Sequence, residues 1–204
     1  MSAAEGDPTA PAQAGSSPGA PASGPAVTVA SARSDARARR PRRIGLFAVV
    51  AILVLGLDIL SKSVVAAHLG HHAPIRLLGG AVYLVEARNS GAAFSVGTGA
   101  TVVLTVIAVA VIVVILRVAS RLRSLGWAVA LGLILGGALG NVVDRIFRSP
   151  GGGRGHVVDW ISVFSSDGHV WPIFNAADSA VVCGAITAAI VALVGIDIDG
   201  TRRR

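Results

Sequence analysis

Four apolar runs, each long enough to cross a bilayer, leave this 204-residue chain few folds to adopt. They occupy residues of about 44–65, 98–116, 125–143 and 175–196. At 1.5 Å per residue, a run of about 20 residues covers the roughly 30 Å of hydrocarbon in a membrane. Backbone inside lipid must satisfy its own hydrogen bonds, so each run is predicted to be a helix. Only 14% of the residues are charged, against about 25% in an ordinary soluble domain. The formal net charge is +7. In a soluble chain that balance would suggest nucleic acid as a partner. Here the basic residues flank apolar runs and no aromatic platform for stacking bases is visible, so no nucleic-acid partner is expected.

The distribution of those basic residues predicts the topology. With the N-terminus inside, the inner segments hold 12 of the 18 Lys and Arg residues. Both termini are therefore expected in the cytoplasm. Residues 1–43 are rich in Ala, Pro, Gly and Ser; they cannot bury enough surface to offset their ordering entropy and read as a disordered tail, with no cleavable secretory signal. Residues 44–196 form the membrane domain, and residues 197–204 read as a basic cytoplasmic tail. One consequence concerns the acids. Asp58, Asp144, Asp159 and Asp178 all fall on the outer side, although they belong to three spans and one loop.

Ionisable groups beside lipid are expensive and mark function by default. Asp58 and Lys62 are spaced i, i+4, share a helix face and are expected to satisfy one another. Asp159 and Asp178 have no basic residue adjacent in sequence. Two carboxylates sharing one site do not both ionise easily; one keeps a proton as acid while the other serves as base. Such a pair activates water against a peptide carbonyl with no metal and no covalent intermediate. Asp178 opens the fourth span, where a helix N-terminus favours negative charge, so Asp178 is expected to be the ionised partner. His68, His71 and His72 lack companions at ligand spacing, and no metal or other cofactor is expected. Cys183 reads as a small packing residue. The second span is nearly all aliphatic and is expected to face lipid without chemistry. The glycines of the third span permit close helix packing. Residues 75–85 suggest a hairpin broken at Gly79-Gly80, and the glycine-rich insert 149–155 reads as a mobile loop.

Five motifs then occur in a fixed order: Asp58-Ile59-Leu60-Ser61-Lys62; Asn89-Ser90-Gly91-Ala92-Ala93-Phe94; Gly136 through Asn141 to Asp144-Arg145; Val157-Val158-Asp159-Trp160; and Phe174-Asn175-Ala176-Ala177-Asp178-Ser179. In these the chain resembles the lipoprotein signal peptidases (signal peptidase II), the membrane aspartic peptidases of bacteria. The resemblance implies a four-helix membrane domain under a small extracytoplasmic β-sheet cradle. It implies an endopeptidase that removes the signal peptide of prolipoproteins just before a diacylglyceryl-modified cysteine, at the outer face of the plasma membrane. The family's catalytic aspartates fall on Asp159 and Asp178. Asn89, Asn141, Arg145 and Asn175 would hold substrate or orient the pair, and Asp58, Lys62 and Asp144 would support them. Its partners would be diacylglyceryl-modified prolipoproteins and membrane lipid, and a monomer is expected. Trp160 departs from the Phe or Tyr usual there, a change of packing rather than chemistry.

Two other functions compete with a peptidase. An ion-coupled carrier also needs intramembrane acids, but carriers show internal repeats or broken midplane helices, and neither is visible here. A structural four-helix membrane protein explains Asp58 and Lys62 but not the unpaired Asp159 and Asp178.

Overall fold

The structure is a computed structural model that describes residues 41–70, 72–91 and 99–203. Most of the tail read as disordered (residues 1–40), His71, the motif residues 92–94 and residue 204 lie outside the described residues. Four long helices, α1 (Ile44–His68), α2 (Gly99–Ala119), α3 (Leu125–Phe147) and α4 (Ala176–Leu193), carry the apolar runs. All four are long and apolar enough to cross a membrane. Three strands, β1 (Ile75–Leu77), β2 (Val82–Asn89) and β3 (Val157–Val163), form one antiparallel sheet in that order.

Helix α3 is the centre of the bundle and packs against each of the other helices. Half of its most apolar window is buried, against 17% for each of the others. Its glycines make this possible. A Cβ on Gly132 would come within 2.9 Å of Phe47 O, and one on Gly136 within 2.7 Å of Ala51 O. With Gly140 these form a stripe at i, i+4: Gly132 and Gly136 admit the backbone of α1, and Gly140 makes room for the Asp58 side chain. On another face Gly137 admits Ala177 of α4, and Gly184 returns the fit by admitting Ala130 O at 2.8 Å from its virtual Cβ. Without a hydrophobic drive between helices in lipid, such close backbone approach supplies the packing energy.

The bundle interior divides along its length. Toward the arginine-rich end, Phe47 and Ala51 of α1 meet Ile115 and Ala119 of α2 and Leu122, Ala128, Leu131 and Leu135. Toward the other end polar side chains are buried as well: Asp58 and Lys62 of α1, Asp144 of α3 and Asn175 before α4. The two ends are closed differently. At the arginine-rich end the segment after α4 folds back rather than trailing away as a tail. Ile198 O accepts from Arg123 N and Ser124 N, both at 3.0 Å, and Arg203 pairs with Asp197 at 2.8 Å. Cys183, expected to be packed, is exposed on α4.

Three boundaries differ from the sequence reading. Helix α3 continues one turn past Val143, because Asp144 is neutralised by partners rather than expelled. Asp159 lies in a strand, not a loop: Val157 and Val158 are buried and β3 pairs along β2. The insert at 149–155 is tied down. Its glycines at positions 151, 152 and 153 take positive φ, turning the chain so that Gly153 N and Gly155 N donate to Arg145 O at 2.9 and 2.8 Å. These bonds satisfy a carbonyl that the end of α3 would otherwise leave open.

Candidate active site

The sheet brings in the first carboxylate. β2 and β3 pair as Ala87↔Asp159 and Asn89↔Val157, with a register shift between Leu84 and Ala87. Side chains two apart on a strand share a face, so Asn89 and Asp159 are diagonal neighbours, with small Ala87 opposite the acid. Asn89 Nδ2 donates to Asp159 Oδ2 at 2.9 Å.

The second carboxylate arrives by helix capping. Phe174 bridges to Ile161 of β3, with N···O distances of 2.8 and 3.0 Å, and so sets Asn175 beside the strand that carries Asp159. Asn175 is the N-cap of α4 and Asp178 its third residue. Asp178 N donates to Asn175 Oδ1 at 3.0 Å and Asn175 N donates to Asp178 Oδ2 at 3.1 Å, a reciprocal capping box. Asn175 is fully buried, and its Nδ2 donates to Asp159 Oδ1 at 2.6 Å. One side chain therefore touches both elements.

Beneath this pair lies a buried ionic layer. Lys62 Nζ sits 2.7 Å from Asp58 Oδ2, 3.0 Å from Asp144 Oδ2 and 3.0 Å from Asn141 Oδ1. Each acid is further engaged. Asp58 Oδ1 accepts from Ala177 N at 3.0 Å, in the first turn of α4. Asp144 accepts from Val158 N at 3.2 Å and from Arg148 Nε at 2.6 Å. A lysine with no exposure persists there because two carboxylates and an amide oxygen take its three protons. Lys62 thus joins α1 to α3, while Asp58 and Asp144 carry the connection on to α4 and β3.

The three asparagines are oriented by one rule. In each, the amide oxygen already holds a donor: Asn175 Oδ1 takes Asp178 N, Asn141 Oδ1 takes Lys62 Nζ, and Asn89 Oδ1 takes Gly91 N at 2.8 Å. That leaves each NH2 group to point at a carboxylate. Asn141 Nδ2 donates to Asp178 Oδ1 at 2.8 Å, completing a set in which every oxygen of Asp159 and Asp178 accepts a hydrogen bond. Arg145 lies half-buried within electrostatic reach of Asp178, Asp159 and Asp144. Its Nη1 donates to Asn141 O at 3.2 Å, and its buried Nε has no hydrogen-bond partner among the described residues.

The environment separates the two acids. Asp159 is almost wholly buried, and burial, reinforced by the charge of Asp178, pushes its pKa up to about 6 against the pull of Asn89, Asn175 and Lys62. Asp178 is partly exposed at a helix N-terminus, where negative charge is favoured. This arrangement can hold one proton on a buried carboxyl beside a second acid open to water.

All nine residues singled out from the sequence lie in this one network. The residues not foreseen are Arg148, whose i, i+4 spacing from Asp144 was a readable signal, and Thr101 and Thr105 of α2. Thr101 Oγ1 donates to Ser90 O, and Thr105 Oγ1 lies 2.9 Å from Gly153 O. They are the only hydroxyl residues in that helix.

A family model described as signal peptidase (SPase) II matches residues 50–194. The lipoprotein signal peptidase of Rhodococcus jostii is 49% identical over 162 residues, covering 79% of this chain and 79% of that protein. That of Streptomyces coelicolor is 47% identical over 165 residues, covering 81% and 78%. That of Mycobacterium tuberculosis is 49% identical over 164 residues, covering 80% and 79%. Two solved structures of a bacterial membrane enzyme, determined in meso at 2.3 and 1.9 Å resolution, superpose with TM-scores of 0.64 and 0.65 at 27% identity. They cover 76% of this chain and 91% and 96% of theirs. Neither a carrier nor a purely structural bundle is favoured by these likenesses. A match this long, on the same four-helix architecture, assigns the chain to the signal peptidase II family, membrane aspartic peptidases of lipoprotein processing, and makes it a multi-pass bacterial membrane protein.

Proposed function

We propose that this enzyme cleaves the signal peptide of prolipoproteins just before a diacylglyceryl-modified cysteine, with Asp159 as acid and Asp178 as base. The observation that supports this most is the pair of carboxylates delivered by β3 and α4 to one network, each gripped by oriented amides and only one of them deeply buried. Asp178 takes a proton from water as the water oxygen attacks the scissile carbonyl. Asp159 gives its proton to the carbonyl oxygen, forming a neutral tetrahedral diol. On collapse, Asp178 passes its proton to the departing amine of the lipidated cysteine, and Asp159 recovers one from the diol. Water is consumed and both acids return to their starting states.

The remaining residues divide the labour. Asn89, Asn141 and Asn175 hold the two acids, so that little reorganisation is needed at the moment of reaction. Arg145, whose buried Nε has no hydrogen-bond partner among the described residues, orients substrate carbonyls. Asp58, Lys62 and Asp144 lock the helices that carry them. The active site lies at the extracytoplasmic face, with both termini cytoplasmic, in keeping with the basic residues gathered at the opposite end. A two-chain lipid on the substrate cysteine seats in the bilayer and confines the scissile bond near the acids, converting recognition into proximity. The enzyme is taken to act as a monomer on diacylglyceryl-modified prolipoproteins. A gel-shift assay on a lipidated prolipoprotein with wild type, Asp159→Asn and Asp178→Asn tests the proposal. Abolished processing in both variants is expected; processing at the wild-type rate in either one would sink it.

A further inference from the structure

Helix α2 reads as a lipid-facing bystander, and much of its aliphatic surface is exposed, including Val103, Val106 and Ile107. Its two threonines break that pattern. They stand one turn apart, with Thr101 at 3% exposure and Thr105 half-buried. A hydroxyl in an apolar helix can satisfy itself on the carbonyl four residues back. Thr105 does so only in part: its Oγ1 lies 2.8 Å from Thr101 O and 2.9 Å from Gly153 O, sharing one proton between them. Thr101 reaches outside its helix to Ser90 O.

The two targets belong together. Ser90 directly follows Asn89 at the end of β2. Gly153 precedes Val157 at the start of β3 by four residues, and its N–H donates to Arg145 O at 2.9 Å. Asn89 and Val157 are register partners. One helical turn of α2 therefore grips both chain segments that enter the same end of the β2–β3 ladder. That end sets the diagonal contact between Asn89 and Asp159.

We propose that Thr101 and Thr105 are positioning residues for the peptidase reaction: from the apolar face of α2 they hold the β2–β3 end in the register that keeps Asn89 Nδ2 on Asp159 Oδ2. Neither touches the reacting carboxylates. This inference rests on Asp159 acting as the acid. Asp159 is faced by Lys62 from α1, by Arg145 from α3, by Asn175 and Asp178 at the start of α4, and by Asn89 from β2, while Asp144 of α3 accepts from the backbone N–H of the preceding Val158. Of these, Asn89 is the one held through Ser90. Its donated hydrogen bond favours the ionised form, so slackening it raises the pKa of Asp159 and carries the alkaline limb of the rate profile to higher pH.

The test uses the full chain in lipid nanodiscs with a diacylglyceryl-modified prolipoprotein as substrate. Thr101→Val and Thr105→Val keep the shape of the side chain and remove the hydroxyl; Thr101→Ser and Thr105→Ser keep the hydroxyl. For the Val variants kcat is expected to fall about five- to tenfold, the weight of one hydrogen bond. KM should stay within about twofold and the alkaline limb should shift upward; the Ser variants should restore both kcat and the limb. Wild-type kcat and pH profile in both Val variants, or Ser variants as impaired as Val, would overturn the proposal. Should Thr101→Val fail to fold, Thr105→Val and its Ser counterpart decide the matter by the same criteria. Asp159→Asn runs alongside: if it retains processing, the acid assignment fails, whereas an inactive Asp159→Asn with unaffected threonine variants removes the present inference alone.

Discussion

Asn175 donates its Nδ2 proton to Asp159 Oδ1 across 2.6 Å. The same side chain caps α4 through its Oδ1, which accepts from Asp178 N at 3.0 Å. Cap and orienter are thus one residue, and a substitution can separate them. Asp is as good an N-cap as Asn, so Asn175→Asp should preserve the cap and the start of α4. It replaces a donor to Asp159 with an acceptor and sets a third acid beside the pair. Processing is expected to fall about a hundredfold or more, the scale seen when an oriented donor leaves a reaction site. Asn175→Ala loses both roles and should also lower stability by about 1–2 kcal/mol. Gel-shift rates and thermal unfolding of the two variants check this; an active Asn175→Asp would show that the donated proton is dispensable.

Burial sets the pH behaviour. In the proposed reaction the carboxyl of Asp159 must carry a proton, and its pKa is pushed up to about 6, chiefly by desolvation. In the free enzyme kcat/KM should therefore decline as pH rises through about 6, while the acidic limb belongs to the pair as a whole. The sign of the stability effect follows from the same shift. A group whose folded pKa is raised contributes stability that is full below its unfolded value of 3.8 and is lost as pH rises through about 6. The loss is about 3 kcal/mol at most. Unfolding measured against pH should show this decline in wild type and a flatter profile in Asp159→Asn. Parallel profiles for the two would refute it.

Lys62 is the other end of the design, since its ammonium serves Asp58, Asp144 and Asn141 together. Lys62→Met retains bulk but strands two buried carboxylates. The cost should be about 3–5 kcal/mol, as for any buried pair deprived of one member. Adding Asp144→Asn removes one of the stranded charges and should recover part of that loss. A double-mutant cycle followed by thermal unfolding measures the coupling; additive losses would mean that the three groups do not act as a unit.

How far the sequence discloses such a site depends on the range of the contact. The apolar runs define the helices because lipid admits little else, and the Asp58–Lys62 pair is visible because i, i+4 residues share a face. Asp144 and Arg148 carry the same local signature. Lys62 and Asn141 are another matter: they are 79 residues apart, and only the glycine stripe of α3 lets α1 close far enough for them to meet. Asp159 was legible as an acid without an adjacent base but not as a strand residue, since β3 exists through its pairing with β2 and the register shift beside Ala87. The threonines of α2 escaped notice because their partners, Ser90 and Gly153, are backbone carbonyls, which no pattern of side chains records.

The glycine stripe yields a paired prediction in which the same substitution has opposite consequences. At Gly136 an added methyl would sit 2.7 Å from both Ala51 O and Val54 Cβ. Neither neighbour is the tip of a flexible side chain, so α1 and α3 must part. Overpacking of this kind costs about 1–3 kcal/mol. Separation of α1 from α3 also lengthens the reach from Lys62 to Asn141, so Gly136→Ala should lower activity along with stability. Gly56 lies on α1 with nothing within 4 Å of its virtual Cβ. There the methyl meets open space, and the gain in helix propensity is about 0.5–1 kcal/mol. Gly56→Ala should therefore be neutral or slightly stabilising, with processing unchanged. Thermal unfolding in detergent and a gel-shift rate for each variant test the pair. Equal effects at the two positions would mean that close approach of α1 to α3 is not what holds the polar layer together.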